Sequence, residues 1–254
     1  MGILGGIGTA LAGSGAAATD QRRTRFYALE QFFLKNGNQV PAIHDYLGKT
    51  AIPAMKRAYG GPILALEALV APHMPQAALI AGFSSLDEMW TTHAKAIADR
   101  AFAEKALAWE SGPEAPFETQ SATLLEAADY SPEIAVSSEP RKSPRIFELR
   151  VYHSPTGHQL RALHERFSGA EVKIFHRSGI HPLLYSSTVF GASIPNLTYV
   201  IPFDSLSDRE KAWAAFGADP EWTKVRAESI AEHGQISSVI QISLFKAAPY
   251  SPVQ

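Results

Sequence analysis

The sequence predicts an α+β fold. It consists of two ferredoxin-like β-α-β-β-α-β repeats whose antiparallel sheets pack face to face as an α/β barrel. Three observations carry this expectation. First, one register aligns the two halves: Phe203 minus Phe83 is 120, and Leu206 minus Leu86 is 120 again. Second, the same offset brings Gly37 onto Gly157, His44 onto His164, Arg57 onto Arg177 and AADYSP (127–132) onto AAPYSP (247–252) without a net insertion. Third, each half runs through the same order of β-like and helix-like patterns.

FYALEQFFL (26–34) and FELRVYH (147–153) are rich in aromatic and branched residues with partial alternation, which predicts strands. After a glycine turn, helices are expected near 39–58 and 158–178. Their apolar residues Val40, Ile43 and Leu47, or Leu160, Leu163 and Phe167, recur at i, i+3 and i+7. Strands follow at 62–71 and 77–84, and again at 182–190 and 197–203. Ser85 and Ser205 then cap second helices with acidic first turns, where the helix dipole favours negative charge. A last strand closes each unit near 118–127 and 235–246.

The expected organisation is a Gly/Ala-rich segment at 1–22, a first repeat at 23–132, a linker at 133–144 and a second repeat at 145–254. The first segment is uncharged until Asp20 and contains Ala16-Ala17-Ala18, so it resembles a signal-peptide core with its small-residue cleavage site. It lacks a basic start, and export to the periplasm is weakly favoured over the cytoplasm. That segment is too short and glycine-rich to predict a membrane span. Three basic residues in RKSPR (141–145) read as solvated linker. A formal charge of −2 gives no electrostatic reason to bind nucleic acid. The absence of cysteine excludes disulfides, thiolate catalysis and Cys-ligated zinc.

The segments FELRVYHSPTGHQLRALHERF, KIFHRSGIHPLLYSST and LTYVIPFDSLSDREKAWAAFGADPEW together resemble a NIPSNAP domain. The first half is a weaker copy, with Glu30 where the second has Arg150, and without a D-P-E-W element. The resemblance implies the dimeric α/β-barrel fold and no settled chemistry. The wider fold superfamily includes cofactor-free monooxygenases, isomerases and haem proteins.

No phosphate loop, nucleophile elbow or H-E-x-x-H helix occurs. His44 and His164 read as structural. His176, His181 and Tyr185 cluster around HRSGIHPLLY, where a structural turn, an acid/base pair or a metal or haem ligand are the alternatives. No carboxylate stands nearby at ligand spacing, so no metal and no cofactor are predicted. Glu30, Glu67, Glu118 and Glu148 lie on expected strands, and the four tryptophans near the second helices suit anchoring of helix to sheet.

The expected function is binding of a small apolar or aromatic molecule, or of a protein partner, through the barrel. The alternatives are a cofactor-independent monooxygenase or isomerase, and a haem-binding protein. The expected ligand-binding set is Glu30, Phe32, Arg150, Tyr152, His176 and Tyr185. Leu29 and Leu149 are expected to face the helices, so that Glu30 and Arg150 point into the barrel and pair. An unclosed edge on the last strand predicts a homodimer.

Overall fold

The computed structural model describes residues 23–136, 141 and 143–254. The segment read as a signal peptide lies outside them. The first repeat contains β1 (Phe26–Phe33), α1 (Gln39–Tyr46), α2 (Ile52–Ala58), β2 (Ile63–Val70), β3 (Gln76–Phe83), α3 (Leu86–Ala98), α4 (Arg100–Glu110) and β4 (Thr119–Ala127). The second contains β5 (Ile146–His153), α5 (Gly157–Arg166), α6 (Val172–Arg177), β6 (Leu184–Phe190), β7 (Asn196–Phe203), α7 (Leu206–Ala218), α8 (Pro220–His233) and β8 (Val239–Ala247). At the 120-residue offset, β1, β3, α3 and β4 fall on β5, β7, α7 and β8 end for end. So do the π-helical turns Leu47–Ala51 and Phe167–Glu171, which join α1 to α2 and α5 to α6.

The second helical region of each repeat is two helices, not one. Asp99 and Asp219 break it in extended backbone and cap the helix that follows. Asp99 accepts from the Phe102 N–H, and Asp219 from those of Glu221 and Trp222. Arg57 and Arg177 hold these caps through ion pairs of 2.5 and 2.8 Å. The Arg177 hydrogen bond, with lesser help from the helix N–H groups, lowers the Asp219 pKa to about 2.

All strand pairs are antiparallel and the eight strands form one closed barrel in the order β1-β3-β2-β8-β5-β7-β6-β4. Closure occurs where the repeats meet, β2 on β8 and β4 on β6. The last strand is therefore no free edge along its second half. From Leu244 to Ala247 it lies between β5 and β2, and only its first half is paired on one side. The lumen is packed by side chains from both repeats, among them Tyr27, Leu29, Ile80, Phe147, Leu149 and Phe245. Each such side chain contributes roughly 1.5–3 kcal/mol by leaving water. Ile134 joins this core, so the segment expected to be linker from 133 onward is packed at its start. Among the described residues no helix is long and apolar enough to cross a membrane.

The tails of the repeats are exchanged. Ser251, at the end of the second repeat, accepts the Ala65 N–H at 2.9 Å, and Ser131, at the end of the first, accepts that of Tyr185 at 3.0 Å. The preceding tyrosines reach across as well: Tyr250 OH lies 2.7 Å from His44 Nδ1, and Tyr130 OH lies 2.8 Å from His164 Nδ1. These bonds explain why His44 and His164 recur, and they support the structural reading of both.

Burial lowers the pKa of both histidines from the ordinary 6.5. Between the lowered value and 6.5 the unfolded chain binds more protons, so their contribution is complete above about pH 6.5 and lost as pH falls below it. The buried Glu171, raised by desolvation to about 7, has the opposite slope, since the folded state holds its proton more tightly. Comparing the chain with its His44→Gln/His164→Gln variant cancels that term. Denaturant midpoints measured between pH 7.5 and 5 should show the stability advantage of the original chain shrinking toward acid. A pH-independent difference would remove the imidazoles as its cause.

Candidate functional site

Strand facing decides where a site can lie, and here it is the reverse of the expectation. Leu29 and Leu149 point into the lumen. Glu30 and Arg150 point outward, toward the helices, as do Phe32 and Tyr152. Glu30 and Arg150 therefore lie on opposite outer faces of the barrel and do not pair. Both faces of β1 and β5 are covered, so no polar/apolar alternation marks which is which. Any cavity must lie between sheet and helices, and there the two repeats differ.

In the second repeat the layer is solid. Phe167, Phe175, Tyr185, Tyr199 and Phe216 pack together with ring centres 4.8–6.2 Å apart, and all are buried. Glu148, on β5, is fully buried. It accepts from Arg209 Nε at 2.7 Å and from Trp213 Nε1 at 3.0 Å, and Arg150 Nε lies 3.3 Å away. The Arg150 guanidinium sits 4.0 Å from the centre of the Trp213 ring. A second buried pair, Arg166 with Glu171 at 2.8 Å, lies alongside. The Tyr185 and Tyr199 hydroxyls have no hydrogen-bond partner among the described residues.

In the first repeat the corresponding positions carry smaller side chains. Leu79 stands for Tyr199, Met55 for Phe175, Ala96 for Phe216, His93 for Trp213, Ala51 for Glu171 and Ala28 for Glu148. All six line a cavity of about 630 Å³, within the range usual for small-molecule sites. One end is aromatic: Tyr46 stacks on Trp109 at 3.8 Å, and Phe117 packs on Phe32 at 5.6 Å. Trp90, Ile97 and Phe190 are exposed where they border the cavity.

Its polar groups are few. Glu30 accepts one hydrogen bond, from Gln120 Nε2 at 3.2 Å. Burial raises its pKa above the ordinary 4.5, partly offset by His93 and Gln120. Tyr46 is pushed up to about 12, chiefly by burial and then by Glu110 and Glu30, and stays protonated. Among the described residues, no lysine or arginine lines the cavity.

Of the expected ligand-binding set, Glu30 and Phe32 border this cavity. Arg150, Tyr152 and Tyr185 belong to the solid second repeat. His176 joins neither group. It is exposed at the end of α6, stacked on His181 with ring centres 5.1 Å apart. The motif reading missed His93 and Gln120, because neither stands in a recognisable pattern. The detectable signal was the size difference between mates 120 residues apart. A second concavity, an open groove of about 650 Å³, exposes Tyr130, His164 and Ser187 beside Glu126, Asp129 and Glu165. Among the described residues, no three His, Asp or Glu side chains converge as a metal site would require.

The NIPSNAP family model matches residues 147–252. No curated protein matches the sequence. Among solved structures, a provisionally assigned monooxygenase from Lactobacillus acidophilus NCFM is 8% identical with a TM-score of 0.53; the match covers 88% of this chain and 94% of that one. An anthrone oxidase-like protein is 10% identical with a TM-score of 0.52, over 89% and 92%. A NIPSNAP family protein of unknown function from Agrobacterium tumefaciens is 22% identical, over 45% of this chain and 97% of its own, with a TM-score of 0.40. At these identities the first two likenesses show the fold alone, over nearly the whole chain.

Removing one member of a buried ion network leaves the others unpaired. Arg150→Ala should therefore lower unfolding free energy by ~3–5 kcal/mol, read from urea denaturation. A change below about 1 kcal/mol would mean that Glu148 is satisfied by Arg209 and Trp213 alone.

Proposed function

From a chain whose second half matches the NIPSNAP family model, and whose first half follows the same element order around a hollow layer, we propose a small-molecule-binding protein. It holds one apolar, aromatic compound in the first-repeat cavity. The observation that carries this reading is the emptied layer itself. The same scaffold is packed solid in one copy and left open in the other, with an aromatic wall and the half-buried Glu30 as its charged group. A fully apolar cavity would accept any greasy molecule, whereas one polar anchor selects for orientation. The absence of cationic lining disfavours phosphorylated and carboxylate ligands.

The site lies in the wall of the barrel, between sheet and helices, because the lumen is occupied by its own core. Titration with 2-naphthol, followed by calorimetry, should give one site per chain. Ala96→Phe inserts the ring that Phe216 supplies in the other repeat, and should weaken binding about tenfold or more while leaving Tm unlowered. Binding unchanged by that substitution would remove the cavity as the site.

We also propose a homodimer through the first half of β8. Val239, Ile240 and Ile242 are 52%, 48% and 40% exposed on a stretch paired only with β5. Light scattering at micromolar concentration should give twice the chain mass. Ile240→Pro, at a position whose backbone N–H points away from β5, removes a donor from the free edge and should return the monomer. A monomeric original chain refutes the interface.

A further inference from the structure

The binding reading leaves open what happens to the molecule held. In the solid repeat, residues 150 and 213 reach toward each other from β5 and α7 until guanidinium and indole meet at 4.0 Å. Their counterparts Glu30, on β1, and His93, on α3, occupy equivalent places on equivalent elements and border the same cavity. Both side chains are shorter, and they form no ion pair with each other within 4.0 Å. Where one repeat has two touching side chains, the other has a carboxylate and an imidazole separated by a gap. Both residues line one largely apolar cavity, as do Phe32 and Tyr46.

The remaining lining restricts the chemistry. Among the described residues it includes no serine, cysteine or lysine, and its aliphatic hydroxyls are those of Thr92 and Thr123. A carboxylate base paired with an N–H donor is suited to moving protons. Resting on the binding reading, we propose that Glu30 and His93 are a proton-transfer pair, and that the cavity is a tautomerase site for an apolar carbonyl compound with an acidic C–H bond beside the carbonyl.

In the forward step a Glu30 oxygen takes the proton from the carbon next to the carbonyl. The C–H electron pair becomes the C=C bond, and the carbonyl π pair moves onto oxygen. The N–H of His93 donates a hydrogen bond to that oxygen as its charge develops. Glu30 then returns the proton, to the same carbon or to the far end of a conjugated system, so the product is an isomer and no oxidant or reductant is consumed. Desolvation supports the role of Glu30, since a carboxylate with a raised pKa is a stronger base than one in water. Gln120, bonded to Glu30 at 3.2 Å, positions the carboxylate and leaves its second oxygen free. His93 is exposed in the free protein, and a ligand seated against Trp90 and Phe32 would cover it.

The test uses the full chain and 2-tetralone, a bicyclic aromatic ketone. Binding is measured by calorimetry, and loss of the C1 protons in D₂O by NMR. The expected results are saturable binding and exchange accelerated above buffer. At saturating 2-tetralone, exchange should fall about 100-fold or more in Glu30→Gln and about tenfold in His93→Gln, with the Tm of each variant unlowered. Binding with no acceleration, or acceleration that survives Glu30→Gln, overturns proton transfer and leaves the binding reading standing. No binding of either 2-tetralone or 2-naphthol overturns both.

Discussion

Closure of the barrel between repeats is the constraint on which the rest depends. A four-stranded ferredoxin-like sheet covers one face with helices and leaves the other face and both edges open. Here each sheet closes the other's edges, β2 with β8 and β4 with β6, and the two open faces become one shared core. The exchanged tails lock this arrangement. Ser131 and Ser251 each bond to a backbone N–H of the opposite repeat, and Tyr130 and Tyr250 each bond to a helix histidine there. Because the lumen is consumed by this core, the layer between sheet and helices is where a binding site can develop.

That layer is where the two halves, alike in element order, differ most. A buried pair such as Glu148 with Arg150 tolerates desolvation only when every member is satisfied, and in the second repeat Arg209 and Trp213 supply the extra bonds to Glu148. Such a network resists change, since removal of any one residue strands the others. In the first repeat none of the four positions keeps its partner chemistry: Ala28, Glu30, Met89 and His93 replace Glu148, Arg150, Arg209 and Trp213. Three of the four charged or aromatic anchors become neutral or small, and the fourth reverses sign. The result is a carboxylate with no lysine or arginine partner among the described residues, beside the helix–sheet clusters of Ile52 with Phe83 and of Phe32 with Ile43.

Much of this was legible in the sequence, and the reasons for what was not are physical. The repeat register, the strand order and the Ser85 and Ser205 caps depend on local patterns and on residue identity at fixed spacing, which a sequence displays directly. Strand facing does not. Leu29 and Glu30 are adjacent, both faces of β1 are covered, and the polar side chain turns out to occupy the helix side because the lumen admits only the shared apolar core. The helix breaks at Asp99 and Asp219 were written in the A-D-R and A-D-P triplets, but a capping aspartate also occurs inside longer helices, so the signal is weak without the backbone. His93 was invisible as a motif because a lone histidine on a helix carries no spacing information.

Pairing each residue with its repeat mate recovers part of what motif reading lost. Tyr199 opposite Leu79, Phe216 opposite Ala96 and Trp213 opposite His93 are each a loss of side-chain volume, and all three face one layer. Scattered losses would leave separate small voids, which neighbouring side chains would relax to fill. Losses concentrated on one layer leave a single cavity of about 630 Å³ that relaxation cannot close, because the sheet beneath it is fixed by eight-strand closure. The rigidity that removed the lumen as a site is thus what keeps the outer cavity open. It is also what holds Glu30, on a central stretch of β1 paired on both sides, at a fixed depth facing the helix that carries His93.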